Sequence, residues 1–198
     1  AMRGVSKEFP WPGGRCGWME FYNRAQDTDF DRYCKSLVDA KMLEVCSTTL
    51  PQRLIPIVMQ DERYYPYLKE RTAHYAELAV LAEVILSDIP ELIIQKPQGA
   101  FYMTVVFKDG ALNGEQKLEI PNAEVRKCVE SLITPGFSHD KRFVYYLLAS
   151  TGLCVVPLSS GFNSTYHGLR FTVLDPDIES FRKNIEVLKD SIQKYLGS

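Results

Sequence analysis

At 198 residues, 45% hydrophobic and 24% charged, the chain has the size of one ordinary globular domain or of one and a half small ones. Its net charge of −2 offers no electrostatic reason to expect nucleic acid or an anionic membrane as a partner. No apolar run reaches the roughly 20 residues that span a bilayer, and no apolar leader precedes Lys7. Five widely spaced cysteines, with no C-x-x-C pair, point to reduced thiols in a cytoplasmic protein and away from a zinc site.

The chain opens on a glycine-rich stretch, GVSKEFPWPGGRCGW, with Lys7 and Arg15 eight residues apart. WMEFY (Trp18–Tyr22) reads as a short buried strand. Apolar residues at helical spacing from Phe30 to Val45 follow, with Thr28 or Asp29 as the cap. LIPIVM after Pro51 is a short helix started or kinked by proline. From Tyr64 to Ser87 one apolar stripe defines a helix of roughly 33 Å, long enough to bridge two domains, and Pro90 stops it.

Beyond Pro97 the texture changes. A glycine turn leads into a β-branched, aromatic strand (Ala100–Phe107), and KDGALNG is a loop. Asn122 caps a helix bearing Val125, Cys128, Val129 and Leu132, and Ser138 caps another bearing Phe143, Tyr146 and Leu147, with Gly152 past its end. Leu153–Ser160 and Gly168–Leu174 read as strands. Asp175-Pro176 then starts a helix with Ile178, Phe181, Ile185, Leu188, Ile192 and Leu196 on one face. Residues 91–198 are therefore expected to form a small α+β domain, with one mostly antiparallel sheet covered by helices. The first 60 residues lack the strands of a complete α/β domain and read as the tail of something larger, with residues 61–90 as the bridge.

The opening stretch carries a chemical suggestion. A lysine amine forms a Schiff base with a carbonyl when its surroundings favour the neutral form. An arginine fork grips phosphate through charge-assisted hydrogen bonds, and glycines let the backbone come close. An aldehyde that also bears a phosphate would use all three, and pyridoxal 5′-phosphate is such a group.

The motif S-K-x-x-x-x-x-G-x-R-x-G, here SKEFPWPGGRCG, resembles the lysine motif of the class I/II pyridoxal-phosphate-dependent aminotransferases of fold type I. PQGAFY (Pro97–Tyr102) resembles the start of their small domain, and VVPLSSGFNSTYHGLRF (Val155–Phe171) their Val-x-Pro strand, G-F loop and arginine strand. The resemblance covers the C-terminal half of that fold, passing from α/β to α+β. It implies roles residue by residue. Lys7 is expected to bond the cofactor and to move the substrate α-proton, Arg15 to bind the cofactor phosphate, and Arg170 to clamp the substrate α-carboxylate. No metal is implied. Substrates would be an amino acid and a 2-oxo acid, and the assembly a homodimer without nucleic acid or membrane.

The chain departs from the family pattern twice. Gly4 stands where many members have a phosphate-touching serine, and Leu158 where the family usually has glycine. The region that would supply a phosphate loop, a ring-stacking aromatic and a pyridine aspartate is not in the sequence, and Asp27 and Asp29 follow the lysine and do not replace the latter. Two alternatives stay open: another fold type I enzyme, a C–S lyase or a synthase, and a truncated, non-catalytic domain that only self-associates.

Overall fold

The computed structural model describes residues 1–198, which fall into two compact units, Ala1–Lys69 and Glu70–Ser198. The boundary lies inside a single helix.

In the first unit β1 (Met2–Gly4) pairs antiparallel with β2 (Gly17–Met19), Arg3 opposite Trp18. Between them lie α1 (Val5–Glu8) and a 3-10 turn, Pro12–Gly14. Two further helices follow, α2 (Thr28–Lys41) and α3 (Thr49–Gln60), and then the start of α4 (Tyr64–Leu86). The cap of α2 is Asp27, not Thr28 or Asp29. Its Oδ1 accepts from the backbone N–H groups of Asp29 and Phe30, both at 2.9 Å, so the helix starts one residue earlier. The WMEFY segment is short and half-buried to exposed, not buried: Tyr22 is 62% exposed, and Asn23, in the left-handed region at φ 58°, turns the chain away. Glu20 there accepts hydrogen bonds from Tyr22, Trp18 and Arg3, which bring its carboxyl down to about 2.

The second unit holds the large core. Its sheet has the order β3-β4-β6-β5, every pair antiparallel, from β3 (Leu92–Gln95), β4 (Tyr102–Phe107), β5 (Val156–Pro157) and β6 (Gly168–Thr172). Along β4 burial alternates, with Met103, Val105 and Phe107 facing the core. The strand starts at Tyr102 rather than Ala100 because Ala100 takes a left-handed conformation, φ 60°. β3 carries no alternating pattern that marks it in the sequence. Against the sheet pack the second half of α4 through Leu78, Ala82 and Leu86, α6 (His139–Thr151) through Phe143, Tyr146 and Leu147, and α8 (Ile178–Leu196). α8 buries Phe181, Ile185, Leu188 and Ile192, each worth about 1.5–3 kcal/mol in transfer from water. Ile178 is half-buried, and Tyr195 takes the fully buried place expected of Leu196. The N-cap of α8 is Asp177, whose Oδ1 accepts from Ser180 N at 2.6 Å.

One expected element stands but is mostly exposed, and another fails. α5 (Ala123–Leu132) is capped by Asn122, yet of its apolar face only Val129 is buried. The strand expected over Leu153–Ser160 shrinks to two residues. Pro157 lacks the N–H that would continue the ladder, and the chain turns into a short helix, α7 (Leu158–Phe162).

Candidate functional site

Lys7 lies in the single helical turn α1, and that turn is tied down from both sides. Val5 is fully buried and its N–H donates to Cys16 O at 3.0 Å, while Phe9 N and Trp11 N return to Val5 O. Just beyond the lysine, Glu8 accepts from Tyr64 Oη at 2.7 Å, and Phe9 stacks on the Tyr64 ring at 5.4 Å. The backbone carrying Lys7 is thus braced while its side chain is exposed.

The glycines that follow have separate causes. A Cβ on Gly14 would lie 2.8 Å from the Trp11 ring within the turn; one on Gly17 would lie 2.9 Å from Arg3 O, so it is at Gly17 that the pairing of β1 with β2 calls for glycine. No such constraint acts at Gly4, whose Cβ would meet Cys16 O at an ordinary 3.5 Å. A Cβ therefore has room at that position.

Arg15 caps the 3-10 turn in the left-handed region, φ 46°, and donates through Nη1 to Pro12 O at 3.0 Å. It is exposed and lines a cavity of about 760 Å³ with Cys16, Trp18 and, from the following helices, Lys41 and Met59. Lys7 is not among the residues lining that cavity.

Arg170 sits in the second unit, on β6, opposite Thr104 of β4 on one side and Val156 of β5 on the other. Its guanidinium carbon lies 4.3 Å from the Tyr102 ring centroid and 3.9 Å from that of Phe162. A guanidinium held over two aromatic faces is attracted by both ring quadrupoles, and its in-plane N–H donors remain directed outward at the edge. Three segments remote in sequence meet here: PQGAFY through Tyr102, the SSGF loop through Phe162, and GLRF through Arg170 itself. Tyr102 and Phe162 both lay within motifs singled out in the sequence, but their contact with the arginine was not legible there.

One residue missed by sequence reasoning holds this arrangement. Asp140, at the start of α6, is fully buried. Its carboxylate accepts from Ser159 N at 2.9 Å, Gly168 N at 3.2 Å, Lys141 N at 2.8 Å and the Ser159 hydroxyl. Burial pushes its carboxyl up, but the Ser159 hydroxyl and the three N–H groups together outweigh burial and bring it below its ordinary value. The same side chain therefore fastens α7, which carries Phe162, and the first residue of β6, which carries Arg170. Gly168 is required there for a second reason: a Cβ would lie 2.4 Å from Val105 O and 2.6 Å from Leu158 Cδ1. Leu158, where glycine was expected, is buried and forms part of that wall.

No protein-family model matches the chain. It is 46% identical over 196 residues to an uncharacterized aminotransferase of Methanocaldococcus jannaschii, covering 99% of this chain and 45% of that protein. It is 28% identical over 194 residues to alanine aminotransferase 2 of Xenopus laevis, covering 93% of this chain and 32% of that one. Among solved structures it is similar to an alanine aminotransferase from Pyrococcus furiosus, with a TM-score of 0.70 at 22% identity over 98% of this chain and 42% of the other. An aromatic aminotransferase from Pyrococcus horikoshii matches with a TM-score of 0.65 at 20% identity. The chain spans less than half the length of the relatives it matches.

Proposed function

From a chain that matches the C-terminal half of fold type I aminotransferases, we propose that these residues serve the transfer of an amino group between an amino acid and a 2-oxo acid, with pyridoxal phosphate as the carrier. The observation that carries the reading is the aromatic-flanked guanidinium of Arg170, built from three separate motif segments. It is a bidentate donor suited to a carboxylate, and none of the ion pairs of the second unit occupies it.

The donor set near the N-terminus fits the carrier. Lys7 is an exposed amine on a braced turn, suited to bond the carbonyl and to take and return the proton at the substrate α-carbon. Arg15 spends one donor on Pro12 O, and the remaining donors of its fork suit a phosphate. When bound, pyridoxal phosphate supplies an electron sink for the charge left at the α-carbon. Arg170 fixes the substrate by its α-carboxylate, so that the proton to be moved is held in one place.

The test separates these residues from the rest of the fold. After incubation with pyridoxal phosphate and borohydride reduction, the 198-residue chain alone should show label scattered over surface lysines and no amino transfer. Joined to the N-terminal part of the Methanocaldococcus jannaschii relative, it should show label concentrated on Lys7, together with turnover. Label elsewhere in a chimera that turns over would overturn the assignment of Lys7. Stoichiometric label at Lys7 with turnover from the isolated chain would overturn the half-enzyme reading.

We also propose self-association, in keeping with a homodimer, and a reducing, cytoplasmic location for which the five unpaired cysteines speak. The first unit leaves Tyr33, Val38, Met42, Leu43, Val45 and Ile57 exposed, and apolar side chains exposed together favour association. Light scattering of the isolated chain should give a mass above that of one copy, rising with concentration. A constant single-chain mass would remove this proposal.

A further inference from the structure

In the second unit a cavity of about 500 Å³ opens beside the start of α6, lined by Thr134, Ser138, His139, Arg142 and His167 with apolar walls from Ile133 and Phe137. Its lining contains no carboxylate. Arg142 is 9% exposed, and its Nε donates to Gln116 O at 3.1 Å, while its guanidinium carbon lies 5.3 Å from the Tyr146 ring centroid. A backbone carbonyl, a ring and the neighbouring Tyr195 hydroxyl are all neutral and leave the charge of a buried guanidinium without a counter-ion, a costly arrangement unless an anion completes it. The His139 and His167 rings face one another at 5.2 Å, and His167 Nδ1 is buried without a hydrogen-bond partner. Asp140, 3.5 Å from that nitrogen, is already engaged by four other donors and does not reach the cavity lining. The first backbone N–H groups of the 13-residue helix α6 add the positive end of its dipole.

We propose that this cavity binds a phosphate group, free or esterified to a small molecule, through Arg142, His139 and His167, with the Ser138 and Thr134 hydroxyls as further donors. A fixed cation, two imidazoles and two hydroxyls approach from separate elements, the loop before α6, α6 itself and the residues leading into β6. Such a donor set surrounds a tetrahedral oxyanion better than a planar carboxylate, which one fork satisfies. The site is independent of Lys7, Arg15 and Arg170 and of the reaction proposed for them.

The experiment is a titration of the 198-residue chain with sodium phosphate at constant ionic strength, balanced with sodium chloride. The imidazole nitrogens of His139 and His167 are followed by long-range proton–nitrogen correlation. Saturable shifts on both rings are expected, with affinity lowered about tenfold in His139→Gln and in His167→Gln. A parallel titration with glycerol 3-phosphate distinguishes the sources: equal or tighter binding assigns a phosphate ester as ligand, and weaker binding assigns the free ion. Both variants are checked for an unchanged melting temperature, and His139→Gln, which removes a half-buried ring with no buried hydrogen bond, carries the test if His167→Gln fails to fold. Shifts no larger than those in chloride, or equal affinity in wild type and His139→Gln, would overturn the proposal.

Discussion

Asp140→Ala should destabilise the protein by about 3 kcal/mol or more, one of the two largest effects expected of a single side chain near Arg170. The substitution removes an ionised acceptor of four hydrogen bonds. It leaves Gly168 N without a partner in a buried place, and each such orphan costs about 1–3 kcal/mol. For a chain of this length the melting temperature should fall by roughly 6–12 °C. Asp140→Asn keeps one acceptor and should lie between the two. The acid response gives a second check. Because the folded carboxyl sits below its unfolded value, its contribution is present above the unfolded value and is lost as pH falls through the folded one. Asp140→Ala should therefore flatten the acid limb of the stability profile. An equal acid limb in wild type and variant would mean that the Asp140 carboxylate contributes nothing to the fastening of α7 and β6.

The second large effect is expected at Gly168. An added methyl at this position would meet a backbone oxygen at 2.4 Å and the Leu158 side chain at 2.6 Å. The leucine can rotate away, but Val105 O belongs to the β4–β6 ladder and moves only with the strand. Gly168→Ala should thus cost about 2–3 kcal/mol. Adding Leu158→Ala should not restore stability, since the clash that decides the outcome is with the backbone. Amide hydrogen exchange should report the damage locally, as lost protection at Leu169–Thr172 before the rest of the sheet. Full rescue by the double substitution would show that the leucine, not the ladder, sets the requirement for glycine.

Both residues illustrate where the sequence stopped being informative. α6 and α8 were legible because burial repeats along them at helical spacing, and the ends of α5 and α6 because Asn122 and Gly152 obey local capping chemistry. β4 was legible from its β-branched and aromatic residues. α7 was not, because Leu158–Phe162 is helical for a tertiary reason: a carboxylate nineteen residues earlier captures Ser159. Asp140 itself looks like any acidic residue in the first turn of a helix, where a charge favours the dipole and is normally solvated. Leu118 and Ile120 are buried within a segment that forms no regular element, so no helical or strand period marks them in the sequence. The candidate site divides in the same way. Lys7, Arg15 and Arg170 are candidates singled out by motif, whereas Tyr102, Phe162 and Asp140, which set the surroundings of Arg170, become visible only when the strands are placed side by side.

The two rings on Arg170 have a thermodynamic consequence for whatever anion the guanidinium receives. A long arginine side chain carries about 2 kcal/mol of rotamer entropy, which a solvated arginine surrenders at the moment a ligand immobilises it. Tyr102 and Phe162 confine the guanidinium before any ligand arrives, so much of that loss belongs to folding rather than to binding. Association at Arg170 should accordingly show a smaller entropic penalty than at an exposed arginine. Replacing Phe162 by alanine should then weaken affinity mainly through a less favourable binding entropy, although Phe162 need not touch the ligand.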